Sequence, residues 1–226
     1  TRLRDTLKVS IPLVLMFETS SLAELAAAIE QEVRTGHGVV LPPIARLASA
    51  GPVPLSFAQQ RLWFLSQQME EVSRAYHVFY GWKFTGQLDR AALRQALDRI
   101  IARHEGLRTT FVEIEGEPRQ RITAAADSCF HLVEHDLSEH ADSQAELDQL
   151  VKEEAGNSFD LAAGPLIRGR LIRLSPDEHA LLITMHHIVS DGWSRGILMK
   201  ELSALYGAFT RGESDPLAEV EIQYAD

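Results

Sequence analysis

Apolar positions along the chain change period several times, and each change marks an element. Leu22, Leu25, Ala26, Ile29 and Val33 recur at helical spacing behind Ser21, which is followed three residues later by Glu24. That is the spacing of a capping box, so a helix is predicted from about residue 21 to a stop at Gly36. Upstream, Leu3, Leu7 and Val9 lead into Ile11-Pro12, where proline ends or restarts a helix. Gly38, Pro42, Pro43, Gly51, Pro52 and Pro54 then punctuate a stretch without periodicity, which reads as a linker.

Beyond the linker, helical and strand periods alternate. Residues 56–68 predict a helix with Ser56 as N-cap and Phe57, Leu62 and Leu65 on its inner stripe. Residues 76–84 are aromatic-rich and strand-like. Asp89 opens an amphipathic helix with Leu93, Leu97, Ile100, Ile101 and His104 along one side. Segments 108–114 and 118–123 flank Glu115-Gly116-Glu117, a hairpin signal. A strand over 130–135 and a helix over 143–155 follow. Segments 166–174 and 179–187, joined at Pro176-Asp177, read as a long antiparallel pair. The final helix, 193–210, turns Ile197, Leu198, Leu202, Leu205, Tyr206 and Phe209 inward. Strands mixed with flanking helices predict an α/β sandwich with a mixed sheet, preceded by a short all-α block. The expected organisation is residues 1–35, a linker 36–52, and one lobe 53–226.

Composition narrows the possible functions. The chain has 226 residues, 45% hydrophobic and 24% charged, enough for one large domain and a smaller appended piece. A net charge of −10 argues against a nucleic-acid surface, which needs clustered Lys and Arg. Cys129 is the only cysteine, which excludes a disulfide framework and a cysteine zinc site and fits a reducing cytoplasm, the expected location. No signal peptide and no membrane-length apolar run is present. Residue 1 is Thr and residues 219–226 lack a closing element, so a segment of something longer is expected.

The densest chemistry lies in residues 185–194, MHHIVSDGWS. Alternation along a strand places Leu181, Ile183, Met185 and His187 on one face and Leu182, Thr184 and His186 on the other. The two histidines therefore point apart, which disfavours joint metal ligation, and no metal is expected. Imidazole titrates near neutrality, so His187 at the strand end suits acid–base work or the positioning of a nucleophile. Gly192 allows close approach, and the following helix N-terminus offers N–H groups to developing negative charge. Asp191 as a simple N-cap and His187 as a satisfied core histidine are equally compatible with the spacing alone.

These residues carry a resemblance. HHIVSDG is similar to the HHxxxDG signature of the condensation-domain family of nonribosomal peptide synthetases, which has a chloramphenicol-acetyltransferase-like fold. SFAQQRLWFL (56–65) and RHEGLRTTF (103–111) resemble its first two motifs, and FDLAAGPL (159–166) its approach to the active strand. Gln223-Tyr224-Ala225-Asp226 looks like the opening of its fourth motif. Residues 1–35, with Val9-Ser10-Ile11-Pro12-Leu13, Met16-Phe17-Glu18 and Leu22-Ala23-Glu24-Leu25-Ala26, resemble the second half of a peptidyl carrier domain.

The resemblance implies an acyltransferase, in which the amine of a downstream carrier-bound aminoacyl thioester attacks an upstream carrier-bound thioester. His187 matches the functional histidine. Asp191 matches a structural aspartate paired with arginine, for which Arg108, Arg103 or an arginine of the second lobe is the candidate, while His186 and Gly192 shape the site. No Gly-Gly-x-Ser occurs to carry phosphopantetheine, so no cofactor is expected on this chain. Substrates would arrive on phosphopantetheine arms. The implied partners are the upstream and downstream carrier domains, an adjacent adenylation domain and a second, C-terminal lobe. Alternatives are an epimerization domain, a CoA-dependent acyltransferase of the same fold, and a noncatalytic interaction domain. Heterocyclization is disfavoured, since those domains carry Asp in place of the first His.

Overall fold

The computed structural model describes Thr6 and residues 13–35, 43–47, 51–68 and 73–226. The chain divides into two compact units, Thr1–Ala45 and Arg46–Asp226. In the first, α1 (Leu13–Glu18) precedes α2 (Leu22–Thr35). Capping starts α2 as the sequence predicts: the Ser21 hydroxyl accepts from the Glu24 N–H, and the Glu24 carboxylate accepts from the Ser20 N–H. The apolar stripe is narrower than predicted. Ile29 is buried, whereas Leu22, Ala26 and Val33 are exposed, because the described part of this unit offers too little surface to cover a whole helix face. The predicted stop at Gly36 and most of the predicted linker lie outside the described residues.

The second unit contains β1 (Val53–Pro54), α3 (Phe57–Gln68), β2 (His77–Thr85), α4 (Arg90–Arg103), β3 (Thr109–Ile114) and β4 (Glu117–Ile122). It continues with β5 (His131–Asp136), α5 (Ser143–Gly156), β6 (Ile167–Ser175), β7 (Glu178–His186) and α6 (Ser194–Thr210). A small sheet has the order β1-β4-β3 and a larger one β2-β7-β6-β5. The larger sheet is mixed: β7 runs antiparallel to β2 and β6, and β5 runs parallel to β6.

β7 organises the unit because it has a strand on either side and helices over both faces. Every residue after Glu178 is buried, the near-continuous apolar run expected of a doubly covered strand. Leu181, Ile183 and Met185 pack with Leu97, Ile100, Leu198, Leu202 and Leu205 of α4 and α6. Ala180 and Leu182 pack with Leu150 of α5 and Ile172 of β6. A third cluster, including Leu55, Phe111, Phe159, Leu166 and Ile188, ties the small sheet to the segment leaving β7.

Local sequence explains the turns. Glu115 (φ 55°) and Gly116 (φ 80°) both adopt left-handed backbone, as a two-residue hairpin between β3 and β4 requires. Gly169 of β6 lies where an added Cβ would sit 2.6 Å from the Leu182 carbonyl oxygen and 3.1 Å from the Phe130 ring, so its hydrogen permits the close packing there.

Two predicted stripes need correction. Phe57 is 91% exposed, and the residue that α3 buries is Gln59, whose amide donates to Gln120 of β4 at 3.1 Å. The helix leans on a polar contact, which hydrophobic periodicity does not register. Ile197 of α6 is also exposed rather than inward-facing.

Candidate functional site

His186 and His187 diverge at the end of β7. His186 is 0% exposed, and its Nδ1 accepts a hydrogen bond from the Ile188 N–H at 3.1 Å. Its neutral form therefore carries the proton on Nε2, which faces the Ser73 hydroxyl at 3.5 Å. The His186 carbonyl accepts from the Val189 N–H and the Ser190 hydroxyl, so one residue ties residues 188–190 into a tight turn. Burial, with the neighbouring His77 and His187, lowers the His186 pKa to about 4.

Behind His186 lies a buried polar layer in which the charged groups are paired, while the ring nitrogens of His77 make no hydrogen bond among the described residues. His77 and Phe159 stand edge-on to its ring, and the Arg168 guanidinium sits 4.0 Å over the Phe159 ring. Glu154 of α5 accepts from Arg168 at 2.7 Å and Arg170 at 2.9 Å. Burial raises the Glu154 pKa, but the two arginines outweigh it and hold the carboxyl below its usual range.

His187 lies on the other side. It is exposed, its N–H donates to the Tyr76 carbonyl at 2.8 Å, and its side chain makes no hydrogen bond among the described residues. With Met185 it lines a cavity of about 430 Å³ between α3, α4, the turn after β7 and α6. Leu62, Ile100, Leu107, Ile188 and Leu198 make much of the wall apolar, while His104, Asp191, Ser194 and Gln223 add polar groups. A mostly apolar cavity with a few convergent polar groups is the usual form of a small-molecule site.

Asp191 is an exposed capping residue. Its Oδ1 accepts from the Trp193 N–H at 3.0 Å, the Ser194 N–H at 2.9 Å and the Ser194 hydroxyl at 2.7 Å. The Ser194 hydroxyl foremost, then the N–H groups and nearby His187, holds its carboxyl below the usual range. The anticipated pairing of Asp191 with an arginine is absent among the described residues. Arg108 is held by Glu105 and the Thr123 carbonyl, and Arg103 by Glu201, Asp215 and the Ala218 carbonyl. Arg108 lies off the cavity wall. The same capping occupies the N–H groups that the sequence offered to developing negative charge. Gly192 faces open space, with nothing within 4 Å of an added Cβ.

Sequence reasoning missed several wall residues. Gln59, Ile222 and Tyr224 reach the cavity from segments distant in sequence. Gln223 spans residues 103–105, accepting from the Glu105 N–H and donating to the Arg103 carbonyl. The matches of residues 56–65 and 223–226 to family motifs were the available signals. Among the described residues no cluster of three or more His, Cys, Asp or Glu could hold a metal, and no helix is long and apolar enough to cross a membrane.

A family model described as Condensation domain matches residues 49–226, and the chain belongs to the condensation-domain family of nonribosomal peptide synthetases. It is similar to malpibaldin synthetase of Mortierella alpina (44% identical over 225 residues) and to a linear gramicidin synthase of Brevibacillus parabrevis (40% over 225 residues). These matches cover 98% and 100% of this chain but 4% of each relative. Among solved structures it is similar to the X-domain from teicoplanin biosynthesis, with TM-score 0.72 and 32% identity over 81% of this chain and 38% of that one. It is also similar to the first condensation domain of the calcium-dependent antibiotic synthetase, with TM-score 0.67 and 26% identity over 75% of this chain and 40% of that one. The architecture is accordingly the chloramphenicol-acetyltransferase-like α/β sandwich of that family.

Proposed function

We propose that residues 53–226 form the N-terminal lobe of a condensation domain, preceded by the end of a peptidyl carrier domain (1–35) and a linker (36–52). The lobe takes part in amide formation between two carrier-bound thioesters within a synthetase, working with flanking carrier domains, an adenylation domain and a second lobe. The amine nitrogen of the acceptor attacks the donor thioester carbon. A C–N bond forms and the C–S bond breaks. An acceptor that arrives as ammonium loses one proton to solvent, and a second passes from nitrogen to the departing sulfur. Substrates are tethered through phosphopantetheine belonging to the carriers, which is cargo for this lobe.

One observation carries this reading: His187, whose side chain makes no hydrogen bond among the described residues, stands on the wall of the main cavity, on a turn fixed by its buried neighbour. His187 is suited to take the proton that leaves the attacking nitrogen, and the wall beside it is largely apolar. Asp191 and Gly192 shape the turn that presents it. Replacing His187 with Ala should lower single-turnover amide formation by about 10² to 10⁴ while leaving the melting transition unchanged. Near-normal turnover by a well-folded variant would overturn the assignment.

A further inference from the structure

His104 stands in the same cavity wall as His187, at the end of α4. Its Nε2 lies 2.7 Å from Oε2 of Glu201, a largely buried residue of α6. Arg103, with a side chain 5% exposed, stands 3.6 Å from the other Glu201 oxygen and is itself backed by Asp215. Burial raises the Glu201 pKa, but His104 and Arg103 together keep it below the usual range, so the carboxylate is charged and accepts the Nε2–H. The lone pair of neutral His104 then sits on Nδ1, which makes no hydrogen bond among the described residues. A carboxylate that fixes an imidazole tautomer, leaving the lone pair of the other nitrogen free, is how a histidine is set up to accept a proton.

The other polar side chains of the wall are already engaged. Asp191 and Ser194 bind each other, Ser190 binds the His186 carbonyl and Gln59 binds Gln120. Gln223 spans residues 103–105, and the Tyr224 hydroxyl meets that of Ser56 at 2.9 Å. The two histidines are left with capacity to act on a substrate.

We propose that His104, oriented by Glu201, is a second proton-accepting group of this cavity and receives the first proton from the acceptor's ammonium. This inference rests on the condensation reading. His104 takes one proton from R–NH3+ and releases it to solvent. His187 then handles the proton that leaves nitrogen as the C–N bond forms and that ends on sulfur. Glu201 acts through His104 and is a positioning residue. The charged groups beside His104 are Glu201 and Arg103, with Asp215 behind Arg103 and His187 and Asp191 elsewhere on the wall.

The division of labour has a pH signature. An α-ammonium titrates near pH 8, so at pH 6.5 all but about one acceptor amine in 30 arrives protonated and must hand over a proton, while above pH 9 nearly all arrive free. Single-turnover amide formation is followed from pH 6.5 to 9 in the synthetase, its carriers loaded with aminoacyl thioesters. His104 speeds that transfer without altering the amine's equilibrium, so His104→Ala should be slowed by about 10² at pH 6.5, where ammonium dominates, and hardly at all at pH 9. Glu201→Gln keeps the shape but removes the charge, and should show the same trend with a smaller loss. His187→Ala should lose activity at every pH. A loss independent of pH, or no loss, in whichever of the His104 and Glu201 variants melts like the wild type overturns the proposal. Near-normal turnover by His187→Ala is a separate outcome and overturns the reading of the site itself.

Discussion

The two sides of β7 are built on opposite rules. Toward α5, the strand ends in a layer whose charged groups are paired and whose central imidazole is fixed: His186 to the turn after it, Glu154 to two arginines, and Arg168 to both a carboxylate and an aromatic ring. Toward α4 and α6 the same strand is apolar from Leu181 to Met185, and then opens onto the cavity where His187 has no hydrogen-bond partner among the described residues. Adjacent histidines thus differ in burial and partners because strand alternation sends them to different surroundings. The tied side sets the position of the turn, and the untied side is where a group stays available to a substrate.

Removing Glu154 should break that contrast most strongly. Glu154→Ala leaves Arg168 and Arg170 without their shared carboxylate in a buried layer, at a cost of about 3–5 kcal/mol. Denaturant melts would register it, whereas His187→Ala should leave the same melts unchanged. An equally small effect of both substitutions would show that the inner layer is not holding the unit together.

Acid sharpens the comparison next. The folded-state pKa of His186 is about 4, below the ordinary value of 6.5, so the unfolded chain binds the proton more readily. The stability due to a neutral His186 is fully present above pH 6.5 and is lost as pH falls toward 4, amounting to a few kcal/mol at the lower limit. His77, beside it, is shifted downward by burial first and Arg168 second, and adds in the same direction. In His186→Gln the slope of stability between pH 6.5 and 4 should flatten. An unchanged slope would mean that other groups carry the acid sensitivity.

The smallest effect belongs to Asp191. It is exposed and has no arginine partner among the described residues, so Asp191→Ala should cost about 1 kcal/mol, the value of a lost cap rather than of a broken buried ion pair. A cost several times larger in thermal melts would point to a charge partner beyond its capping contacts.

Much of the molecule is readable along the chain wherever the deciding interaction is local. Alternation over residues 181–187 is enough to separate the two histidines. Ser21 with Glu24 marks the start of α2, and Ser56 likewise starts α3, its hydroxyl accepting from the Gln59 N–H and its own N–H meeting the Gln59 side chain. The turn at Pro176-Asp177 and the hairpin at Glu115-Gly116 follow from residue type. Phe57 escapes the same reasoning: a stripe count sees apolar residues, and α3 is held inward by the amide of Gln59.

By itself, the sequence determined the element order, the mixed α/β layering, the opposed histidines and the family, because periodicity, capping and short motifs depend on residues within a turn or a strand of one another. Tertiary structure alone decided what stands opposite what. Arg108 is engaged by Glu105 and the Thr123 carbonyl rather than Asp191, and the carboxylate beside His104 comes from Glu201, 97 positions away. Residues near the chain's end close the cavity that His187 lines. Those pairings are set by how α3, α4 and α6 pack on the sheet, and packing depends on the shapes of whole surfaces, which no short stretch of sequence contains.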